Sequence, residues 1–216
     1  LTDSSGPIGG ALVENFIVNG TLQGEKAIYI SPNALVKEIN IGNGAAVEGD
    51  IISEWNPEGV EYFYTRDYGG ENPYRGLKPN IPTGANLDNY RTNLNFAGDR
   101  TFSDNIIGPY GLIMNVNSGK LTTANASAED SSYINVHTVN VGDGATYTVK
   151  NILMANNGYG AINVMGNGSL ALAEDTTNNG VGTILISFND DDGDGQAKSG
   201  IINNDGAVNF QSGELA

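Results

Sequence analysis

The sequence contains no cysteine. That excludes disulfide frameworks, zinc ribbons and thiol catalysis. It fits two settings: a reducing cytosol, or export of an unfolded chain in which a premature disulfide would be a hazard. Positive charge is also scarce. Ten Lys and Arg face 25 Asp and Glu, which leaves a net charge of −15 and a pI of about 4.1. Nucleic acid and anionic membrane surfaces would repel such a chain, so cations, basic proteins and neutral sugars are the partners its charge allows. No run approaches the roughly 18 apolar residues of a membrane span, so no membrane insertion by this segment is expected. The chain opens "LTDSSGPIGG", without initiator Met or signal peptide, and closes "NFQSGELA" inside an alternating run. It reads as a fragment of a longer protein.

What the chain does have is glycine, 30 residues of 216, about twice the usual share. The glycines fall into a repeat. An apolar-x-apolar run, an Asn-Gly or Asp-Gly type turn and a second alternating run recur as "NFIVNGTLQG" (15–24), "INIGNGAAVEG" (39–49) and "MNVNSGKLTTA" (114–124). They return as "VNVGDGATYTV" (139–149), "INVMGNGSLAL" (162–172) and "IINNDGAVNFQ" (201–211). The turn glycines Gly20, Gly44, Gly119, Gly144, Gly168 and Gly206 mark a period near 24, with one gap of 75 and one of 38. The gap of 75 is three periods, or fewer with an insertion. The gap of 38 is one period plus an inserted acidic loop at 188–200.

Period-2 alternation predicts strands, with Ile39, Ile41, Val139, Val141, Ile162 and Val164 on one face and Asn40, Asn140 and Asn163 on the other. Antiparallel hairpins also use Asn-Gly turns, but give no reason for a turn to recur every 24 or 25 residues. A coil of parallel strands does: successive coils stack about 4.8 Å apart and equivalent residues lie above one another. The expectation is a single all-β segment over 1–216, a parallel β-helix with Ile and Val stacked inside and Asn ladders at corners.

Residues 56–91 break the pattern. With Trp55 just before it, this stretch is rich in Tyr and Pro and carries Arg66, Arg75, Lys78 and Arg91. Proline-rich chain does not form regular stacked strands, so the segment is expected to be an inserted loop or small subdomain. Tyr and Arg give large contact area with polar ends. Trp55, Tyr62, Tyr64, Arg66, Tyr68, Tyr74 and Arg75 are the candidate binding surface. The competing reading is an excursion that packs down over the core.

The acidic run "FNDDDGDGQ" (188–196) matches the first half of a calcium loop: Asp190, Asp192, Asp194 and then Gly195, with Gln196 as a further oxygen donor. The second half fails. Counting Asp190 as first, the twelfth position is Ile201 where a bidentate glutamate belongs. A weak calcium site and a solvated acidic turn both remain open; no cofactor is required. His137 is the single histidine, and no Ser or Cys nucleophile motif accompanies it. It reads as a strand residue at a corner or facing solvent. Gly-x-Gly runs here precede strands, not helices, so they are turns and not phosphate loops.

The stretch "GTLQGEKAIYISPNALVKEINIGNGAAVEGDIISEW" (20–55), with "LIMNVNSGKLTT" and "TVNVGDGATYTV" downstream, resembles the passenger segments of Gram-negative autotransporters. In style it is nearest the stem of subtilase-type autotransporters. The resemblance implies a right-handed parallel β-helix exported through an outer-membrane barrel elsewhere in the parent chain and displayed at the cell surface or secreted. It implies a non-catalytic stalk that presents loops to a host-surface protein or glycan. Neither the subtilase Gly-Thr-Ser-Met-Ala pattern nor its His motif occurs here, so any protease activity of such a parent lies outside this fragment. The alternative is a carbohydrate-active β-helix enzyme using a carboxylate pair.

Overall fold

The computed structural model describes residues 12–57, 79, 81–123, 134–149, 151–155, 161–172, 182–187, 201–204, 207–210 and 213–215. The chain is a parallel β-solenoid with coils about 23 residues apart. Every strand pair is parallel. Parallel neighbours separated by whole coils, with no helix among the described residues beyond one 3-10 turn, are what the period of the turn glycines requires.

Three faces run along the stack. The first contains β1 (Leu12–Val18), β3 (Leu35–Ile41), β5 (Thr92–Ala97), the latter part of β7 (Ile106–Ser118), the latter part of β9 (Ile134–Val141), β12 (Ala161–Val164) and β15 (Ile201–Asn204). The second contains β6 (Arg100–Phe102), β8 (Lys120–Thr123), β10 (Thr146–Val149), β13 (Ser169–Leu172) and β16 (Ala207–Phe210). β2 (Thr21–Ile30) and β4 (Ala46–Ser53) each pass through the second face into the third. The third continues through the first parts of β7 and β9 into β11 (Asn151–Ala155), β14 (Gly182–Ser187) and β17 (Gly213–Leu215).

Stacking puts like residues on like. On the first face Phe16, Ile39, Leu94, Met114, Val139, Ile162 and Ile202 occupy one column. On the third, Ile28, Ile51, Ile106, Ile134, Ile152 and Ile184 do so, ending at Leu215. From Ile39 to Ile162, and from Ile28 to Ile134, these side chains are buried. Burial at about 1.5–3 kcal/mol each makes the aliphatic columns the source of cohesion, because no single coil can cover its own apolar face.

Ile41, Val141 and Val164 face inward, and Gly20, Gly44, Gly119, Gly144 and Gly168 lie at or beside the corner between first and second faces. The gap of 75 is two coil steps. Ile41 pairs with Phe96, and Phe96 with Val116, so the segment around 92–102 is a coil of its own and the remaining excess lies between Ser53 and Thr92. At this corner, neighbouring coils also interlock. A Cβ on Gly98 would lie 2.4 Å from Asn43 Oδ1, and one on Gly166 2.4 Å from Asp143 Oδ1. Both glycines have positive φ, 77° and 54°. They serve twice, taking a backbone shape that L-residues avoid and leaving room for the side chain of the coil before. Asp143 uses that room to accept the Asn167 N–H at 2.7 Å. In the fifth of the repeated corners the left-handed residue is thus Gly166, two residues before the marker glycine.

Candidate functional site

Three polar arrangements stand out on this frame. The first is an amide ladder on the outer side of the first face. Asn40 Nδ2 donates to Asn15 Oδ1 at 2.8 Å, Asn95 to Asn40 at 2.9 Å and Asn115 to Asn95 at 2.8 Å. Asn140 donates to Asn115 at 2.8 Å and Asn163 to Asn140 at 2.7 Å. Each bond is donated by the later coil to the earlier one. The ladder was expected at corners. It stands in mid-strand, because Asn40, Asn95, Asn115, Asn140 and Asn163 sit between inward apolar residues and period 2 turns them outward.

The second arrangement seals a break. The first and third faces stay hydrogen-bonded across the long step, through β3–β5 and β4–β7. On the second face β4 pairs with β2 and β6 with β8, and no β4–β6 pairing is present. Arg100 opens β6 in the column that continues as Leu121, Tyr147 and Leu170. Its Nη2 donates to Gly42 O at 2.6 Å and Ala97 O at 2.7 Å, and Nη1 to Ala45 O at 3.5 Å. The guanidinium lies 5.8 Å from the Phe96 ring centroid. Its Nε is buried without a partner, and burial lowers the pKa of the group. One cation therefore closes three corner carbonyls where strand pairing stops. Side chains stitch the next corner: Gly49 N–H donates to Asp104 Oδ2 at 2.9 Å, and Asn105 N–H and Nδ2 both donate to Asp50 Oδ1 at 3.0 Å.

The third arrangement marks where the long connection returns. Asn86 Oδ1 accepts the Asp88 N–H at 3.0 Å and starts the 3-10 turn Leu87–Tyr90. Asp88 pairs with Arg91, whose Nε donates to Tyr110 O at 2.9 Å. Thr92 Oγ1 donates to Val36 O at 2.7 Å, and β5 begins. His137 sits at the same corner, two coils on, with Nδ1 2.9 Å from Thr138 Oγ1. Burial, then the Arg91 charge, lower its pKa from 6.5 to about 4, against a smaller opposing effect of Asp88. The imidazole is uncharged at neutral pH and a weak base.

Of the sequence-derived site residues, Trp55 is 2% exposed in the core, packed against Gly111. That corrects its place on a recognition surface: it follows the inward Ser53 of β4 and fills the interior before the chain departs. Tyr62, Tyr64, Arg66, Tyr68, Tyr74 and Arg75 lie outside the described residues, as do Asp190, Asp192, Asp194 and Gln196. Among the described residues no three His, Cys, Asp or Glu side chains are grouped to hold a metal ion, and no helix is long and apolar enough to cross a membrane. Sequence reasoning missed Arg100 and the Asp88–Arg91–His137 corner. The first was visible once "RTF" (100–102) is aligned with "LTT" (121–123) and "YTV" (147–149), where a cation replaces an apolar residue. The second had no local signal, since coil stacking alone brings Arg91 near His137. No protein-family model, curated protein or solved structure matches this chain.

Proposed function

We propose that this chain is a non-catalytic β-solenoid scaffold, a segment of a surface-displayed autotransporter passenger that carries inserted loops for adhesion to a host-surface protein or glycan. One observation supports this most. β3 and β5 pair directly although Ile41 and Phe96 are 55 positions apart, so the frame accommodates a long extra stretch of sequence while its first and third faces stay paired. An insertion accommodated in this way is free to vary without loss of the core. Export through an outer-membrane barrel elsewhere in the parent chain, and exposure at the cell surface, follow from the sequence resemblance. Sequential stacking of coils suits such export, because each coil adds to a formed edge. The scaffold needs no cofactor, and calcium would enter only through the 188–200 loop.

The test is to replace residues 58–86 with a short Gly-Ser bridge. The scaffold reading expects an unchanged β-rich circular dichroism spectrum, loss of binding to host cells or glycan arrays, and no turnover of polysaccharide by either protein. Cleavage products from the unaltered chain would overturn it in favour of a carbohydrate-active enzyme.

A further inference from the structure

We propose that Asn43–Gly44 is a self-modifying site. Its side-chain amide is lost to water, the main chain is rerouted through the side chain as an isoaspartyl link, and that link loosens the break sealed by Arg100. Three Asn-Gly pairs lie at the corner between first and second faces among the described residues, at 19–20, 43–44 and 167–168. The last two belong to coils paired on both sides, so they can be compared directly.

The same dipeptide is set differently in the two turns. Ile41 and Val164 stand in one column. Counted from them, Asn43 comes two positions later and Asn167 three. One turn is therefore Gly42–Ala45, closed by the Ala45 N–H donating to Gly42 O at 3.1 Å, with Gly44 as its third residue at φ 81°. The other is Met165–Gly168, where Gly168 is the fourth residue and its own N–H closes the turn on Met165 O at 2.8 Å. Gly44 is exposed and Gly168 is buried. The Gly44 N–H and the Asn43 amide have no hydrogen-bond partner among the described residues. Asn167 is held further by its own N–H on Asp143 Oδ1 at 2.7 Å.

That difference decides reactivity. Amide loss starts when the backbone nitrogen after Asn gives its proton to hydroxide and attacks the Asn Cγ. The N–Cγ bond forms, the Cγ–Nδ2 bond breaks, Nδ2 leaves as ammonia and a five-membered imide remains. Water then opens the imide. Cleavage at Cγ gives aspartate. Cleavage at the former main-chain carbonyl carbon leaves the chain running through Cβ and Cγ. The Gly44 nitrogen is open to this course, since it carries no neighbouring Cβ, water reaches it and no bond has to break first. The Gly168 nitrogen must first leave its turn.

The two products differ in their effect. Aspartate fits this position: Asp143 occupies it in a later coil, followed by Gly144 at φ 71°. Isoaspartate adds one main-chain atom inside the Gly42–Ala45 turn. Both ends of that turn hold Arg100, through Gly42 O at 2.6 Å and Ala45 O at 3.5 Å. Lengthening it moves the two carbonyls apart and opens the seal between β4 and β6.

The test is peptide mapping, with isoaspartyl-methyltransferase labelling, of the 216-residue chain aged at mildly alkaline pH. Isoaspartate at 43 should accumulate at least about tenfold faster than at 167. In urea, where neither turn persists, the two rates should converge. Hydrogen exchange on the aged chain should show residues 21–30 and 46–50 losing protection relative to the fresh chain. Asn43→Ser keeps a small polar side chain above Gly98 and cannot form the imide. Aged in the same way it should keep that protection, although its other Asn-Gly pairs still react. Asn43→Asp, not aged, carries the charge without the rerouted backbone and should match fresh wild type. Equal rates at 43 and 167 in the folded chain would overturn the site, as would conversion at 43 only in urea. Unchanged protection in the converted protein would overturn its effect on the seal, as would fresh Asn43→Asp losing as much as aged wild type.

Discussion

The first and second faces meet the same interruption and respond differently. Ile41 and Phe96 are 55 positions apart in sequence, yet β3 and β5 hydrogen-bond as neighbours, while β4 and β6 do not pair. The first face has two devices that act across the step. Ile39 and Leu94 stack inside, and Asn40 and Asn95 bond outside. The second face has neither. Its column passes from aliphatic residues to Arg100, and β6 is three residues long. Continuity in this solenoid is thus a property of columns, side chain on side chain, more than of the chain that links the coils. Where a column changes chemistry the ladder stops, and a single guanidinium bridges the opening.

The comparison is broken most directly by emptying the first face at the step. Phe96 is buried, stacked on Ile41 and Val116, with its ring centroid 6.4 Å from that of Phe102. Phe96→Ala removes the contact that holds both faces there and should cost about 3–5 kcal/mol, read by urea denaturation. A loss below about 1 kcal/mol would mean that the column is not what carries the step.

Arg100→Met sharpens the contrast from the other side. The thioether fills part of the space but leaves the carbonyls of Gly42, Ala45 and Ala97 without their shared donor. Gly42 O keeps the Ala45 N–H, so the penalty for the half-buried carbonyls that lose this donor is about 1–3 kcal/mol at most, partly offset because a desolvated cation is removed. More telling than the size is the shape of the transition. In a stack, coupling is between neighbours, so weakening the sealed break should let the first two coils (12–53) open before the rest. Hydrogen exchange should show residues 21–30 and 46–50 losing protection ahead of 106–118. Uniform loss of protection throughout would place the weak joint elsewhere.

Asn115→Ala should cost less, about 1–2 kcal/mol, because the half-exposed outer side lets water replace part of what is lost. It removes one donor and one acceptor at once, freeing Asn140 Nδ2 and Asn95 Oδ1. Asn115→Asp should be worse than Asn115→Ala, since its carboxylate oxygen would face the acceptors Asn95 Oδ1 and Asn93 Oδ1 where the Asn115 amide now donates. The reverse order in thermal melts would show that the ladder's directed bonds do not matter.

How much of this was legible follows the same division. The Ile and Val columns and the outward Asn residues were readable because period 2 within a strand and a period near 24 between coils are both recorded in the sequence. The coil at 92–102 was not, because its steps to the neighbouring coils, 55 and 20 positions, straddle the common period and its "AGD" corner lacks the Asn-Gly signature. The placement of Trp55 was misjudged on composition: an aromatic beside a Pro- and Tyr-rich stretch reads as surface, whereas its position just after β4 turns it into the core. The His137 corner depends on which coil lies on which, and that is fixed only once the insertion's length is known.

His137 gives the smallest and most selective test, directed at the third corner where the connection re-enters. Its folded pKa is about 4, below the ordinary 6.5, because burial and then Arg91 disfavour the imidazolium. Between those two pH values the unfolded chain binds a proton that the folded chain refuses. Stability from this group is therefore whole above pH 6.5, falls as pH drops through that window, and is fully lost below about pH 4. Because the side chain is partly solvated, the loss should be on the order of 1 kcal/mol and not the full linkage value. His137→Gln keeps a polar side chain but cannot titrate. Carboxylates also titrate near the lower limit, and comparing the two proteins at each pH cancels their share. The variant should match wild type or fall slightly below it at pH 7, and gain on it by about 1 kcal/mol at pH 4.5. Parallel curves over that range would mean that His137 is as free to take a proton in the folded chain as in the unfolded one, and that the Arg91 anchor lies too far away to be felt.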